Sequence, residues 1–265
     1  MKLAVIGCGK MGGAMLRRIV KSGFMKPQDV IAADHNADLL KNISSELMIP
    51  TTADNAEAVR EADFILLSVL PQVYCTVLSQ IRPALKDGAC VMTIAPGYTL
   101  EKTASYLKEG TKIIRAMPNT PALIGEGMIA VCPCPIVDDD TFDKAMKILS
   151  LFGKTEKIDE SQINAVIGIS GSSPAYVFMF IDALADAGVR GGLHRDQALR
   201  FASQAVLGSA RLMIETGSHP DVLKDMVCSP AGTTIEAVST LEQSGFRGTV
   251  ISAALSAMDK AAKMG

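Results

Sequence analysis

The sequence predicts an α/β protein in two parts: a doubly wound parallel sheet with helices on both faces over residues 1–158, and an all-helical domain over residues 159–265. Three observations carry this expectation. Up to about residue 158, short apolar runs alternate with stretches of helical spacing, the pattern of a parallel sheet covered on both faces. The first run and the first helix are joined by a glycine-rich turn, Gly7-Cys8-Gly9-Lys10-Met11-Gly12. Beyond Asp159 no convincing strand recurs.

Each element has its own signal. Lys2 to Ile6 is a short apolar strand. The next segment, Met11 to Ser22, places Met11, Met15, Ile19 and Val20 at helical spacing, and Gly23 stops it. Val30 to Ala33 forms the second strand and ends at Asp34. Helices follow over Asp38 to Leu47 and Asn55 to Glu61, with a strand-like Pro50 to Thr52 between them. Phe64 to Ser68 reads as a fully buried strand. Pro71 then opens a helix at its first turn, where a missing N–H costs nothing. Further strands are Cys90 to Ile94, Lys112 to Ala116, Met128 to Cys132 and one near Thr155 to Ile158; a helix over Asp139 to Phe152 precedes the last. The second part reads as four helices: Ser173 to Ala187, Asp196 to Thr216, Ala231 to Gln243 and Thr249 to Lys263.

Composition narrows the function classes. Of 265 residues, 48% are hydrophobic and 20% charged, enough to bury a sizeable core and too apolar for a disordered chain. Lysine and arginine number 26 against 28 acidic residues, so net charge draws the chain neither to nucleic acid nor to an acidic membrane. The six cysteines form no CxxC pair, and the close pair Cys132 and Cys134 has no histidine partner. Reduced thiols in a cytoplasmic protein, with no metal site, are therefore expected. No signal peptide is expected, because the apolar run Leu3 to Ile6 ends at once in glycines. Ser161 to Ile181 is 21 residues without a charge, long enough to span a bilayer. It holds Gln162, Asn164, four serines, two glycines and Pro174, and so reads as a buried helix pair with a polar turn.

The opening turn has the Gly7-x-Gly9-x-x-Gly12 spacing of a dinucleotide site, after a strand and at the start of a helix. Gly7 permits the tight turn, Gly9 lets the backbone approach a pyrophosphate, and Gly12 lets the helix pack on the strand. The helix N-terminus at Lys10 and Met11 offers free N–H groups and a positive dipole end to the phosphates. The first part is therefore expected to be Rossmann-type. Asp34 lies 22 residues after Gly12, where an acidic residue bonds the adenosine ribose 2′-OH. Such a residue favours NAD and repels the 2′-phosphate of NADP; a plain helix cap is its other common role.

Three loops follow strands and so belong to the carboxyl edge of the sheet, where ligands bind. They are Ser68-Val69-Leu70-Pro71-Gln72, Ala95-Pro96-Gly97 and Met117-Pro118-Asn119-Thr120-Pro121. In the last, two prolines stiffen the chain around Asn119, which suits a nicotinamide cradle or a structural turn. Two hydroxyl-rich loops, Ser170 to Tyr176 and Ser229 to Thr234, precede helices and are candidate carboxylate sites or ordinary N-caps. The histidines are His35, His194 and His219; none belongs to an HExxH, and no G-x-S-x-G supports a serine nucleophile. No lysine stands between Lys157 and Lys224.

Together these motifs resemble the pyrroline-5-carboxylate reductase family over essentially the whole chain. The most specific parts are Met117 to Ala122, Ser170 to Tyr176 and Val227 to Ala237. The resemblance implies hydride transfer from NADH or NADPH to the C=N carbon of 1-pyrroline-5-carboxylate, giving L-proline. An imine is basic enough to take its proton from water or a weak donor, so the sparse histidines and missing lysine are no obstacle. Catalysis then rests mainly on orientation and proximity. The resemblance implies that Thr234 hydrogen-bonds the ring nitrogen and can relay the proton. Ser229 and the N–H groups around Gly232 and Thr233 would hold the carboxylate. Gly7, Gly9, Lys10, Met11 and Gly12 would line the pyrophosphate. Asn55, Ser68, Val69, Leu70 and Pro71 would border the adenosine and ribose, and Asn119 would lie near the nicotinamide. NADP is the family's usual cofactor, whereas Asp34 leans towards NAD.

The resemblance also implies a homodimer through the helical domain, each active site completed by the partner's Ser229 to Thr234 loop. A ring of dimers stays open. The helix around Tyr176 to Ile181 points the same way, because a helix apolar on nearly every face must be covered on all sides. This chain departs from the family pattern at four positions: Leu70 for a usual lysine, Pro96 for a small residue, and Ser173 and Ala231 for usual glycines. The last two fit if the backbone there avoids positive φ. Losing the lysine at 70 removes a positive charge near the cofactor. Competing expectations are a reductase of another cyclic imine acid, since one methylene changes binding by only about 1–3 kcal/mol, and a two-domain hydroxyacid dehydrogenase. The lysine gap argues against the dehydrogenase, whose relatives use a lysine on the first interdomain helix. A nucleotide-binding sensor is a third.

Overall fold

A computed structural model describes residues 1–263. Its first part runs β1 (Leu3–Ile6), α1 (Lys10–Lys21), β2 (Val30–Ala33), α2 (Ala37–Leu47), β3 (Thr51–Thr52), α3 (Asn55–Val59), β4 (Phe64–Leu67), α4 (Pro71–Ile81), β5 (Cys90–Thr93), α5 (Leu100–Ala104), β6 (Lys112–Met117), β7 (Gly127–Pro133), α6 (Asp139–Leu149) and β8 (Gly153–Lys157). The eight strands form one sheet in the order β3-β2-β1-β4-β5-β6-β7-β8. Strand order reverses between β1 and β4, so the turn after β1 stands at the topological switch point, where such sheets bind ligands.

The central strands β1, β2 and β4 are apolar throughout because both faces are covered. Leu3, Val5, Leu66, Met92 and Ile114 pack with Met15, Leu16, Ile19, Ile43 and Ile148 on one side. The alternate residues Ala4, Ile6, Ile65, Leu67 and Val91 pack with Val59, Tyr74, Leu78 and Ile81 on the other. One pair departs from the expected all-parallel sheet: β7 runs antiparallel to β6, with Ala116 opposite Val131. The connection over residues 118–126 holds only a 3₁₀ turn, Thr120–Ile124. A parallel crossover needs a dozen or more residues, so the chain returns as a hairpin.

Beyond β8 come α7 (Ile163–Val166), a π-helical turn (Ile167–Gly171), α8 (Ser173–Arg190), α9 (Arg195–Thr216), α10 (Pro220–Val227), α11 (Thr233–Gln243) and α12 (Phe246–Ala262). Contacts divide the chain into residues 1–171 with the last stretch from Ala257, and a second unit, Ser172–Ser256. In the second unit α9 packs on α8 where Gly188 faces Ala198; an added Cβ at Gly188 would come within 3.0 Å of the Ala198 methyl. Arg195 closes the pair through Asp186 at 2.7 Å.

The helical region corrects several expectations. No polar loop interrupts Ser161 to Ile181; the π-helical turn carries the chain towards α8. Nor is α8 a buried helix within one chain: Phe178 and Met179 are 61% and 73% exposed. Glu160–Arg190 is long and apolar enough to cross a membrane by length and composition alone. Large apolar residues are equally exposed on α9 to α12, among them Phe201, Ile214, Leu241 and Ile251. The uncovered surface thus belongs to the whole helical unit rather than to one span, as at a protein interface. Short α5 and α10 lie outside the expected elements, and α11 begins at Thr233, because Ala231 is not helical.

Candidate active site

The glycine turn is built as its spacing requires. Gly7 has φ +90°, and an added Cβ would come within 2.5 Å of the Ser68 carbonyl oxygen. At Gly12 a Cβ would overlap the Gly7 carbonyl, so α1 can approach β1 only through glycine. Around Gly9 nothing lies within 4 Å of the same position, leaving an open approach. Gly9 caps α1 without a side-chain hydrogen bond, and the first helical bond runs from Gly13 N–H to the Gly9 carbonyl at 2.8 Å. The N–H groups of Lys10, Met11 and Gly12 therefore lack intrahelical acceptors. No acidic side chain occupies the first turn. These residues fit a dinucleotide pyrophosphate.

Asp34 has a side chain only 8% exposed. Its carboxylate accepts from Cys8 N–H at 2.7 Å and from Asn36 N–H at 2.9 Å. It does not cap α2. Asn36 does, accepting from Asp38 and Leu39 N–H. Asp34 instead clamps the glycine turn to the end of β2. Burial, reinforced by this carboxylate, pushes the Cys8 thiol up to about 12, so it stays neutral. Asn55 is likewise not a cap: Asp54 caps α3, while the Asn55 amide donates to Gln80 Oε1 at 2.7 Å and ties α3 to α4.

The loop after β4 crosses the same sheet edge. Ser68 N–H donates to the Ile6 carbonyl at 2.8 Å, and Val69 lies against Gly7. Leu70, 72% exposed, precedes Pro71 at the first turn of α4. Tyr98 Oη donates to the Pro71 carbonyl at 3.0 Å and holds this loop beside Ala95-Pro96-Gly97.

Asn119 follows β6. Its Oδ1 accepts from Met128 N–H at 3.0 Å, and its Nδ2 donates to Ser170 Oγ at 3.2 Å. Arg18 was no part of the sequence-based site, yet it braces this loop. Its guanidinium donates from α1 to the Leu151 carbonyl at 2.6 Å and the Ile124 carbonyl at 2.9 Å. Gly125, at φ +81°, leaves room for that guanidinium; a Cβ would overlap it. Nothing in the local sequence marks Arg18 apart from other polar residues of an amphipathic helix.

In the second unit, Ser229-Pro230-Ala231-Gly232 is a tight turn closed by Gly232 N–H donating to the Ser229 carbonyl at 3.0 Å. Ala231 has φ +54°, the left-handed region, so the condition for painless replacement of glycine is not met. Proline followed by a residue of positive φ is the type II pattern, which prefers glycine at the third position. Ala231→Gly is expected to stabilise the protein by about 1 kcal/mol by relieving this conformation. Thermal unfolding checks it: a midpoint that falls would show that the alanine conformation carries no such cost.

Gly232 caps α11 without a side-chain bond, so this loop is not an ordinary hydroxyl N-cap. An added Cβ at Gly232 would overlap Ser229 Oγ, which places that hydroxyl over the helix start. Thr233 and Thr234 occupy the first two helical positions, where N–H groups lack intrahelical acceptors. Thr234 is half-buried, and its hydroxyl has no hydrogen-bond partner among the described residues. The arrangement suits a carboxylate flanked by a hydroxyl donor.

A glycine turn at the switch point of a doubly wound sheet, joined to a helical domain with an open anion site, defines a dinucleotide-dependent oxidoreductase. Residues 2–97 match the family model described as NADP oxidoreductase coenzyme F420-dependent, and residues 160–264 match that of pyrroline-5-carboxylate reductase dimerisation. The pyrroline-5-carboxylate reductase of Escherichia coli is 46% identical over 99% of this chain and 98% of its own. The solved reductase of Coxiella burnetii superposes with a TM-score of 0.94 at 29% identity, covering 100% and 98% of the two chains. That of Plasmodium falciparum, solved with NADP bound, gives 0.90 at 29%, with the same coverage. The chain belongs to the pyrroline-5-carboxylate reductase family. Its activity is nicotinamide-dependent reduction of 1-pyrroline-5-carboxylate in proline biosynthesis, and its C-terminal region is a homo-oligomerisation domain.

Proposed function

We propose that the chain reduces the imine with NADH in preference to NADPH, and that Thr234 serves the reacting nitrogen. The free hydroxyl of Thr234 beside the uncapped start of α11 is the observation that carries this assignment. When bound, the reduced nicotinamide supplies the hydride that the C=N carbon accepts. Ser229 and the N–H groups of Thr233 and Thr234 hold the substrate carboxylate, with Gly232 leaving the backbone accessible. Thr234 Oγ1 donates to the ring nitrogen, which gains a proton as the carbon gains its hydride, and the hydroxyl is reprotonated from water. Lys10, Met11 and Gly12 hold the pyrophosphate by their N–H groups, with Gly7 and Gly9 shaping its approach. Asn55, Ser68, Val69, Leu70 and Pro71 border the adenosine ribose, Asp34 meets its hydroxyls, and Asn119 lies near the nicotinamide.

Residues 1–158 bind the dinucleotide, and residues 159–265 bind the substrate and pair with a second copy, whose Ser229 to Thr234 loop completes each site. The exposed apolar residues of α8 to α12 support that pairing. A ring of dimers would extend it. Six free thiols suit a reducing cytoplasm. The test is a rate assay with 1-pyrroline-5-carboxylate and each reduced nucleotide. The expected kcat/KM is higher with NADH; equal or reversed values would overturn the part given to Asp34. No turnover from folded protein that binds nucleotide would shift the substrate to another cyclic imine.

A further inference from the structure

We propose that Ser170 is a positioning residue for hydride transfer, acting through Asn119; this rests on Asn119 lying beside the nicotinamide. Asn119 Oδ1 accepts from Met128 N–H at 3.0 Å, which settles which way the amide faces: the NH₂ group must point to Ser170. Pro118 and Pro121 stiffen the backbone on either side. The 3₁₀ turn that follows takes no side-chain cap from Asn119, so the amide is spent on β7 and Ser170 instead. Ser170 reaches Asn119 from 51 residues away, within the π-helical turn Ile167–Gly171. Single π turns within helices occur frequently at functional sites.

The chemistry of the pair is that of a donor platform. One Nδ2 hydrogen goes to Ser170 Oγ, and the other is left over. Because Ser170 Oγ accepts from Asn119, its own hydroxyl hydrogen also remains to be given. Two leftover donors on half-buried side chains at the carboxyl edge of the sheet match a carboxamide oxygen, the polar handle of a nicotinamide ring. Without Ser170 the Asn119 side chain keeps only its Met128 bond, and the ring carboxamide loses a fixed partner. The adenosine and pyrophosphate contacts lie elsewhere and are untouched.

The experiment compares Ser170→Ala, Ser170→Thr, Asn119→Ala and the double variant in the intact enzyme. Ser170→Ala is expected to lower kcat about tenfold, the loss of roughly one hydrogen bond in the transition state. KM for the nucleotide should change less than twofold. The primary isotope effect on kcat, with nucleotide deuterated at the transferred position, should rise as hydride transfer becomes limiting. Ser170→Thr keeps the hydroxyl and should restore both. The double variant should be no worse than Asn119→Ala. A fall in Tm with an unchanged isotope effect would reduce Ser170 to a structural contact and overturn the proposal. An impaired Asn119→Ala beside a normal Ser170→Ala would overturn it while sparing the nicotinamide assignment of Asn119. A normal Asn119→Ala would overturn both.

Discussion

Thr234→Ala is expected to lower kcat/KM for the imine about 100- to 1,000-fold, the size of effect seen when a donor aimed at developing charge or a transferring proton is removed. The imine nitrogen gains its proton as the hydride arrives at the neighbouring carbon, so a hydroxyl held at that nitrogen stabilises the transition state more than the ground state. Thr234 is suited to the role because its hydroxyl is committed to no other group among the described residues. For the same reason the substitution leaves no orphaned partner inside the protein. Alanine is also the better helix former at a position in the first turn of α11. Thermal stability should therefore hold, and binding of nucleotide alone should be unchanged. Thr234→Ser should retain most of the activity. Equal loss of nucleotide and imine binding would reveal a folding defect in place of a lost donor.

Asp34→Asn is expected to raise the ratio of kcat/KM with NADPH to that with NADH about ten- to a hundredfold. Two unit charges about 4 Å apart at an effective dielectric near 20 repel by about 4 kcal/mol. Salt and partial exposure cut this to the ~1.4–2.8 kcal/mol that such a ratio represents. Asparagine removes the charge and keeps one carbonyl oxygen. That oxygen can still accept from Cys8 N–H, now bonded to Asp34 at 2.7 Å, while the exposed Asn36 N–H turns to water. Asp34→Ala separates the two duties of this residue. It also removes the charge, yet it strands the part-buried Cys8 N–H at a cost of about 1–3 kcal/mol. The glycine turn should then loosen, and both nucleotides should bind less well. Measured kcat/KM values for the two nucleotides with both variants check this. An unchanged ratio in Asp34→Asn would leave Asp34 as a clamp alone.

Much of the fold is legible along the chain because its causes are local. Phe64 to Leu67 is apolar at every position because both faces of β4 are covered, and such a run declares itself without knowledge of its neighbours. Gly7 and Gly12 are set by clashes of a missing Cβ with atoms of the same turn and the adjoining loop, so their spacing alone announces the site. The starts of α8 and α11 are legible from their serine, glycine and proline runs, although neither helix takes a side-chain cap from them.

Other features are settled by packing between distant segments. Sequence leaves Asp34 two roles, a ribose ligand or a helix cap; Asn36 stands two residues nearer the helix and takes the cap, and Asp34 also clamps the turn after β1, which spacing does not announce. The left-handed φ of Ala231 breaks the ordinary preference of alanine, so composition argues against the conformation that the loop imposes. Arg18 meets a carbonyl 106 residues on, and Ser170 an amide 51 residues back. Spacing and propensity act over a few residues of chain. A hydrogen bond across such distances depends on where the sheet brings its edges, and that geometry exists only once the strands have paired.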